Sequence, residues 1–264
     1  MQEGLEKDEK GQKFIYSDTG VKVFVDFKDN LMVDPNDPII AGQARNSRYN
    51  RGMVKGLSCL GSENSEDAMT WNVFKTLGKS NPEKWFSEIF PQIILDKDEQ
   101  FIDPTPRFWD KYFPPLLRPL PDGETHPDLT IETSSKVIFI EATYKTDIRK
   151  NTKHDPNRDQ IIRNIDVGTW AAKKWAKEFC FVLVTLKTNT YSIDKLNHYK
   201  SNPSNIIQEI GSYRKDIKDF AALCENIHVI FWDQLLTSLQ NIQSTNKTEL
   251  NLTKLIDYLK DKIV

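Results

Sequence analysis

The chain has 264 residues, of which 38% are hydrophobic and 28% charged, and its formal net charge is −2. That length is ample for a substantial core, and the composition excludes a disordered or fibrous chain. The near-neutral balance excludes a global positive field, so binding to an anionic polymer has to come from a local basic patch.

The N-terminal stretch MQEGLEKDEKGQKF is charged and lacks an apolar core, so it does not read as a secretory signal. No apolar run approaches a membrane span. Three cysteines (Cys59, Cys180, Cys224) show no Cys-x-x-Cys or Cys/His spacing, which argues against a disulfide framework and a zinc site. A cytoplasmic setting and no membrane partner are expected.

In chain order, residues 14–27 (FIYSDTGVKVFVDF) predict a hairpin turning at Asp18-Thr19-Gly20. Residues 28–60 are rich in Asp, Asn, Pro and Gly and read mostly as loop. Residues 65–77 (SEDAMTWNVFKTL) predict a well-buried helix, and 80–90 a short one. Residues 100–125 are rich in proline and aromatics and read as irregular or edge structure. Two strands follow at 129–133 and 136–143, then a polar loop and a helix over about 157–178. Residues 179–185 (FCFVLVT) predict a strand covered on both faces. A long amphipathic helix is expected over 204–224, a buried strand at 228–232, and two final helices, the last at 250–263. The order predicts an α/β fold with a mixed sheet. Residues 1–60 are expected to form an N-terminal extension and 61–264 the α/β domain with its C-terminal helices.

The most informative stretch is HPDLTIETSSKVIFIEATYK, residues 126–145. If a hairpin is centred on Ser134-Ser135, Leu129 faces Ile140, Ile131 faces Ile138 and Asp128 faces Glu141. Directly opposed residues share a face, with Cβ atoms about 5 Å apart. Two carboxylates there repel, and a hard divalent cation with oxygen ligands resolves the conflict. A loop one residue longer would turn Asp128 off that face. The bland alternative is an Asp in a turn and a Glu at a strand's exit.

These residues resemble the PD-(D/E)xK nuclease superfamily, whose pattern is Pro-Asp on one strand and Glu-x-Lys at the end of the next. Pro127-Asp128 and Glu141 match in spacing. The resemblance covers roughly residues 62–185. It implies a restriction-endonuclease-like core, a mixed central sheet flanked by helices, and Mg²⁺ (with Mn²⁺ as a substitute) on Asp128 and Glu141. It also implies an acidic residue from the preceding helix, matched by Glu66, and a glutamine from the following helix, matched by Gln160. The implied activity is metal-dependent endonucleolytic cleavage of DNA in restriction, repair or mobile elements. Relatives often act as homodimers or as subunits of larger nuclease complexes.

One position departs from the pattern. Where the family has lysine, two residues after the glutamate, this chain has Thr143. Lys145 lies two residues further on; if the strand continued, it would share the face of Glu141 and its stem could reach back. Three cases stay open: Lys145 replaces the motif lysine, the site is disabled by drift, or the threonine is a deliberate substitution. The rival function is a non-catalytic nucleic-acid-binding or assembly subunit on the same fold. Between 143 and 164 the basic residues Lys145, Arg149, Lys150, Lys153, Arg158 and Arg163 outnumber the acids, so the last five are candidate phosphate contacts. A second, weaker candidate is the Arg45, Arg48, Arg51 loop around Tyr49.

Overall fold

The computed structural model describes residues 4–116, 118, 123–151, 155 and 158–263. It divides into two compact units, residues 1–77 and 78–264. The helix expected to open the α/β domain therefore falls in the first unit.

In the first unit, β1 (Glu6–Lys7), β2 (Lys13–Tyr16) and β3 (Lys22–Phe24) form an antiparallel sheet. The expected hairpin is present, with Ile15 opposite Val23, and Gly20 takes a φ of 77° in its turn. Ile15, Val23 and Val54 make a small core there. Residues 28–60 are not all loop, because α1 spans Pro38–Asn46. Asp37 caps it through the Ile39 amide and Pro38 opens its first turn, a start signal that the loop-like composition conceals. The buried α2 (Glu66–Leu77) ends the unit.

The second unit opens with the short helix α3 (Phe86–Ile89) and the two-residue strand β4 (Arg107–Phe108). It is built on a five-stranded mixed sheet in the order β4, β5 (Leu129–Glu132), β6 (Lys136–Ala142), β7 (Glu178–Thr185), β8 (Ile227–Phe231). The first three strands are antiparallel neighbours, and β6, β7 and β8 are parallel. Helix α4 (Gln160–Lys174) links β6 to β7. Between β7 and β8 lie α5 (Thr190–Ser201), α6 (Pro203–Ile210) and α7 (Phe220–Glu225), and α8 (Trp232–Ser244) and α9 (Thr253–Ile263) complete the chain. Nearly every residue of β6 and β7 is buried, so both faces of the sheet centre are covered. On one face Val137, Phe139, Phe181 and Leu183 pack with Ile161 and Ile165 of α4.

Two expectations need correction. Helix α4 starts at Gln160, where Asp159 accepts the Ile162 amide as its cap, and it ends at Lys174. Ala176 takes a positive φ of 54° and Lys177 N–H returns to the Ala172 carbonyl, which closes the helix. The expected helix over 204–224 is two helices. The chain between them carries Arg214 into the interior, where it pairs with Asp166 of α4, and a continuous helix would forgo that pairing.

Helix α4 lies close on the sheet at Gly168. A Cβ on that residue would sit 2.0 Å from the Phe179 ring, so only glycine permits this approach.

Candidate functional site

The hairpin has the register expected from a two-residue turn. Leu129 pairs with Ile140, Thr130 with Phe139 and Ile131 with Ile138. Ser134-Ser135 is not a strong turn sequence by itself. Glu99 supplies what it lacks, since its carboxylate accepts from Ser134 Oγ, Ser135 Oγ and the Ser135 amide at 3.1, 2.7 and 2.7 Å. Burial raises the Glu99 pKa, but the bonds from Thr133, Ser135 and Ser134 outweigh it and hold the carboxyl at about 2.

Asp128 lies one residue before the Leu129–Ile140 pair, the last of the ladder. Asp128 Oδ2 accepts the backbone N–H of Ala142 at 2.8 Å, which ties its side chain to the end of β6. Both carboxylates are buried, at 9% and 5% exposure. They lie at the carboxyl end of β6, where α/β sheets with parallel strands commonly hold ligands.

Glu141 is held from α4. Asn164 Nδ2 donates to Oε2 at 2.9 Å, and Gln160 Nε2 donates to Oε1. Positions 160 and 164 are one helical turn apart and so project together. Gln160 also fixes the preceding loop. Its Oε1 accepts the Arg149 amide at 3.0 Å, and its own amide donates to the Arg149 carbonyl at 3.1 Å. The expected glutamine is thus in contact with the expected glutamate, and Asn164 is a further residue of the site. Its i+4 spacing from Gln160 was the available signal.

Thr143 faces a different set of partners. It is 3% exposed, its Oγ1 lies 2.7 Å from Thr185 Oγ1, and Asn189 Nδ2 donates to it at 3.3 Å. Asn189 also donates to the Tyr144 and Thr146 carbonyls, and Trp232 Nε1 donates to the Thr143 carbonyl at 2.7 Å. Thr143 therefore anchors the strand exit to the start of α5. The strand ends at Ala142 and the chain bends at 144–146. The alternation that would carry Lys145 to the Glu141 side is broken there. Lys145 is exposed, with its Nζ 5.3 Å from the centroid of the Tyr144 ring.

The expected phosphate contacts divide. Arg149 and Lys150 are exposed, and Lys150 Nζ lies 4.7 Å from the Tyr191 ring. Lys153 falls outside the described residues. Arg158 is not a surface residue. It is 4% exposed and donates to Asp166 Oδ2 at 2.8 Å and to the Tyr213 hydroxyl at 2.9 Å. Arg214 Nη1 meets the other Asp166 oxygen at 2.6 Å. A wholly buried carboxylate needs such partners, and it claims Arg158 for the interior. Arg163 is half-buried and donates to the Gly123 and Glu124 carbonyls at 3.0 and 2.7 Å. Of the acids in the same stretch, Asp155 and Asp159 are buried as well.

Glu66, the expected third metal ligand, belongs to the first unit, where it opens α2. Among the described residues no three His, Cys, Asp or Glu side chains gather into a group that could hold a metal. The carboxylates themselves suit a hard cation. Each carboxylate brings two oxygens of the kind such cations coordinate. Magnesium is commonly held by one or two carboxylates with waters and substrate phosphate completing its shell. The fit therefore rests on two ligands rather than three. No helix among the described residues is long and apolar enough to cross a membrane.

Comparison of the chain with family models, with curated proteins and with solved structures yields no match.

Proposed function

We propose that the chain is a metal-dependent endonuclease of the restriction-endonuclease-like type, hydrolysing phosphodiester bonds in DNA. The observation that supports this reading is the bond from the Ala142 amide to Asp128 at the end of β6, next in the chain to Glu141, with Gln160 of α4 on Glu141. Asp128 and Glu141 would hold Mg²⁺ or Mn²⁺. A cation bound there supplies a water of lowered pKa and positive charge at the scissile phosphate. The chain's own part is positional. The Ala142 amide fixes Asp128, and Gln160 and Asn164 hold the Glu141 carboxylate in one orientation. Arg149 and Lys150, exposed on the loop that Gln160 tethers, would meet backbone phosphates. Two copies acting together would supply one site per strand of a duplex.

A second reading, a non-catalytic nucleic-acid-binding or assembly subunit on the same fold, is favoured by one observation. The position of the family lysine is a threonine bonded to Thr185 and Asn189, and Lys145 sits over Tyr144.

Incubation of supercoiled plasmid with Mg²⁺ or Mn²⁺, and with EDTA, separates the two. Cleavage by the wild type but not by Glu141→Ala supports an active site that works without a lysine at 143. Cleavage by Thr143→Lys alone supports a disabled nuclease scaffold. Cleavage by none favours the binding subunit.

A further inference from the structure

The other end of α4 borders a groove. It is about 440 Å³ in volume and opens between β4 and the last turn of that helix. Its walls carry Phe113, Trp170 and Trp175, together with Arg107, Lys111 and Lys174. At 1.5 Å per residue, Trp170 is about 15 Å along the helix axis from Gln160, so this groove is separate from the carboxylate pair. Its volume falls within the range of small-molecule sites, ~300–1,000 Å³.

Two of the aromatics are poorly covered for residues of their size. Phe113 is 62% exposed and Trp175 is 44% exposed, and both line the same groove. Trp175 meets Tyr112 edge-on, with ring centroids 6.3 Å apart, which sets its plane. Trp170 is already flanked by Lys173, Lys174 and Arg214 at 5.3 to 5.7 Å, so the free aromatic surface belongs to Phe113 and Trp175.

Charge decides what such a groove takes. Aromatic walls with carboxylates form cages for methylated ammonium groups. Here the two carboxylates of the lining, Asp110 and Glu132, are both paired to Arg107, at 2.6 and 2.9 Å, and Glu132 has Lys177 as well. Lys111 is paired to the half-exposed Glu124. Lys174 is exposed, and its Nζ lies over the Trp170 ring at 5.3 Å. The available chemistry is therefore an apolar stacking surface beside a cation, which suits an aromatic anion. From this geometry we infer that the groove binds a nucleotide: a base stacked against Trp175 and Phe113 and a phosphate at Lys174 with Lys111. A free mononucleotide and one nucleotide of a single strand present that same chemistry. The inference does not depend on the nuclease reading, and the groove binds whether or not Asp128 and Glu141 hold a metal.

The test is done in EDTA, where metal-dependent cleavage is silent. Thymidine monophosphate and a short labelled oligothymidylate are titrated against the full chain, by tryptophan fluorescence and by anisotropy. The variants are Phe113→Ala, Trp175→Ala, Lys174→Glu and Lys174→Arg, each checked for an unchanged circular dichroism spectrum and Tm. Base–aromatic stacking predicts roughly tenfold or greater weakening for each aromatic truncation. Lys174→Glu weakens binding further at low salt, and Lys174→Arg retains it. Binding of both probes with this pattern supports a nucleotide site, and binding of the oligomer alone supports a strand-binding groove. No binding of either probe, or variants that bind as the wild type does, overturns the inference. So does preferential binding of a trimethyl-lysine peptide. Asp128→Ala, titrated in parallel in EDTA, keeps the two sites apart: binding equal to the wild type supports a site away from that carboxylate, and loss of binding with an unchanged Tm overturns it.

Discussion

Asn164 Nδ2 donates to Glu141 Oε2 at 2.9 Å across the space between α4 and β6, one helical turn after Gln160 meets the other oxygen. The glutamate is thereby held from the helix, whatever it binds. Asn164→Ala removes one donor from a buried carboxylate, and loss of a hydrogen bond to a charged group costs about 1.5–3 kcal/mol. Chemical denaturation should show that loss. Under the nuclease reading, Asn164→Ala also lowers plasmid cleavage at saturating Mg²⁺, whereas Lys145→Ala leaves cleavage unchanged.

Arg158 and the pair Arg149 and Lys150 should separate cleanly. Arg158→Ala strands the wholly buried Asp166 beside one fewer cation, and a broken buried pair costs about 3–5 kcal/mol. Arg149→Ala and Lys150→Ala change stability by no more than about 0.5 kcal/mol. If DNA binds along that loop, each of the two weakens it and lowers the salt dependence of binding by about one counterion. Urea midpoints and salt-titrated anisotropy check the two halves of the prediction.

Gly168→Ala should be costly. Its Cβ would meet the Phe179 ring, which is itself buried in the sheet face, so α4 has to lift. Overpacking of this kind costs about 1–3 kcal/mol. The same lift moves Gln160 and Asn164 relative to Glu141, so under the nuclease reading the variant loses cleavage as well as thermal stability.

His228 predicts a pH dependence. Burial, with the Lys200 charge adding to it, holds its imidazole down at about 4 from an ordinary 6.5. The folded state keeps it neutral while the unfolded state protonates it. The unfolded chain then binds more protons between these values, so the stabilising contribution is full above about 6.5 and is lost as the pH falls towards 4. Tm measured across that range should decline, and His228→Leu should flatten the decline. Glu99 acts lower on the scale. Its contribution is present above the ordinary glutamate value of 4.5 and is lost as the pH falls towards 2, so Glu99→Gln removes acid sensitivity below about 4.5.

Much of this molecule is legible from local pattern. The two-residue turn at Ser134-Ser135 sets the hairpin register, with Leu129 opposite Ile140 and Ile131 opposite Ile138. Extended by one residue, the same spacing points Asp128 to the end of β6, where it accepts the Ala142 amide. The continuous apolar run at 179–185 likewise marks a central strand, and the helical spacing of Ile161 and Ile165 places α4 on it. What the sequence could not decide is which polar residues are spent inside. Arg158 and Arg149 look alike along the chain, but Asp166 and Tyr213 claim the first and solvent takes the second. Thr143 and Lys145 alternate as if on one strand, but the bonds to Thr185, Asn189 and Trp232 anchor the first while the chain bends away with the second. Periodicity reports near neighbours along the chain. The partners that settle these roles lie eight to 89 residues away, and a buried charge or hydroxyl is assigned only when tertiary packing brings them within hydrogen-bond reach.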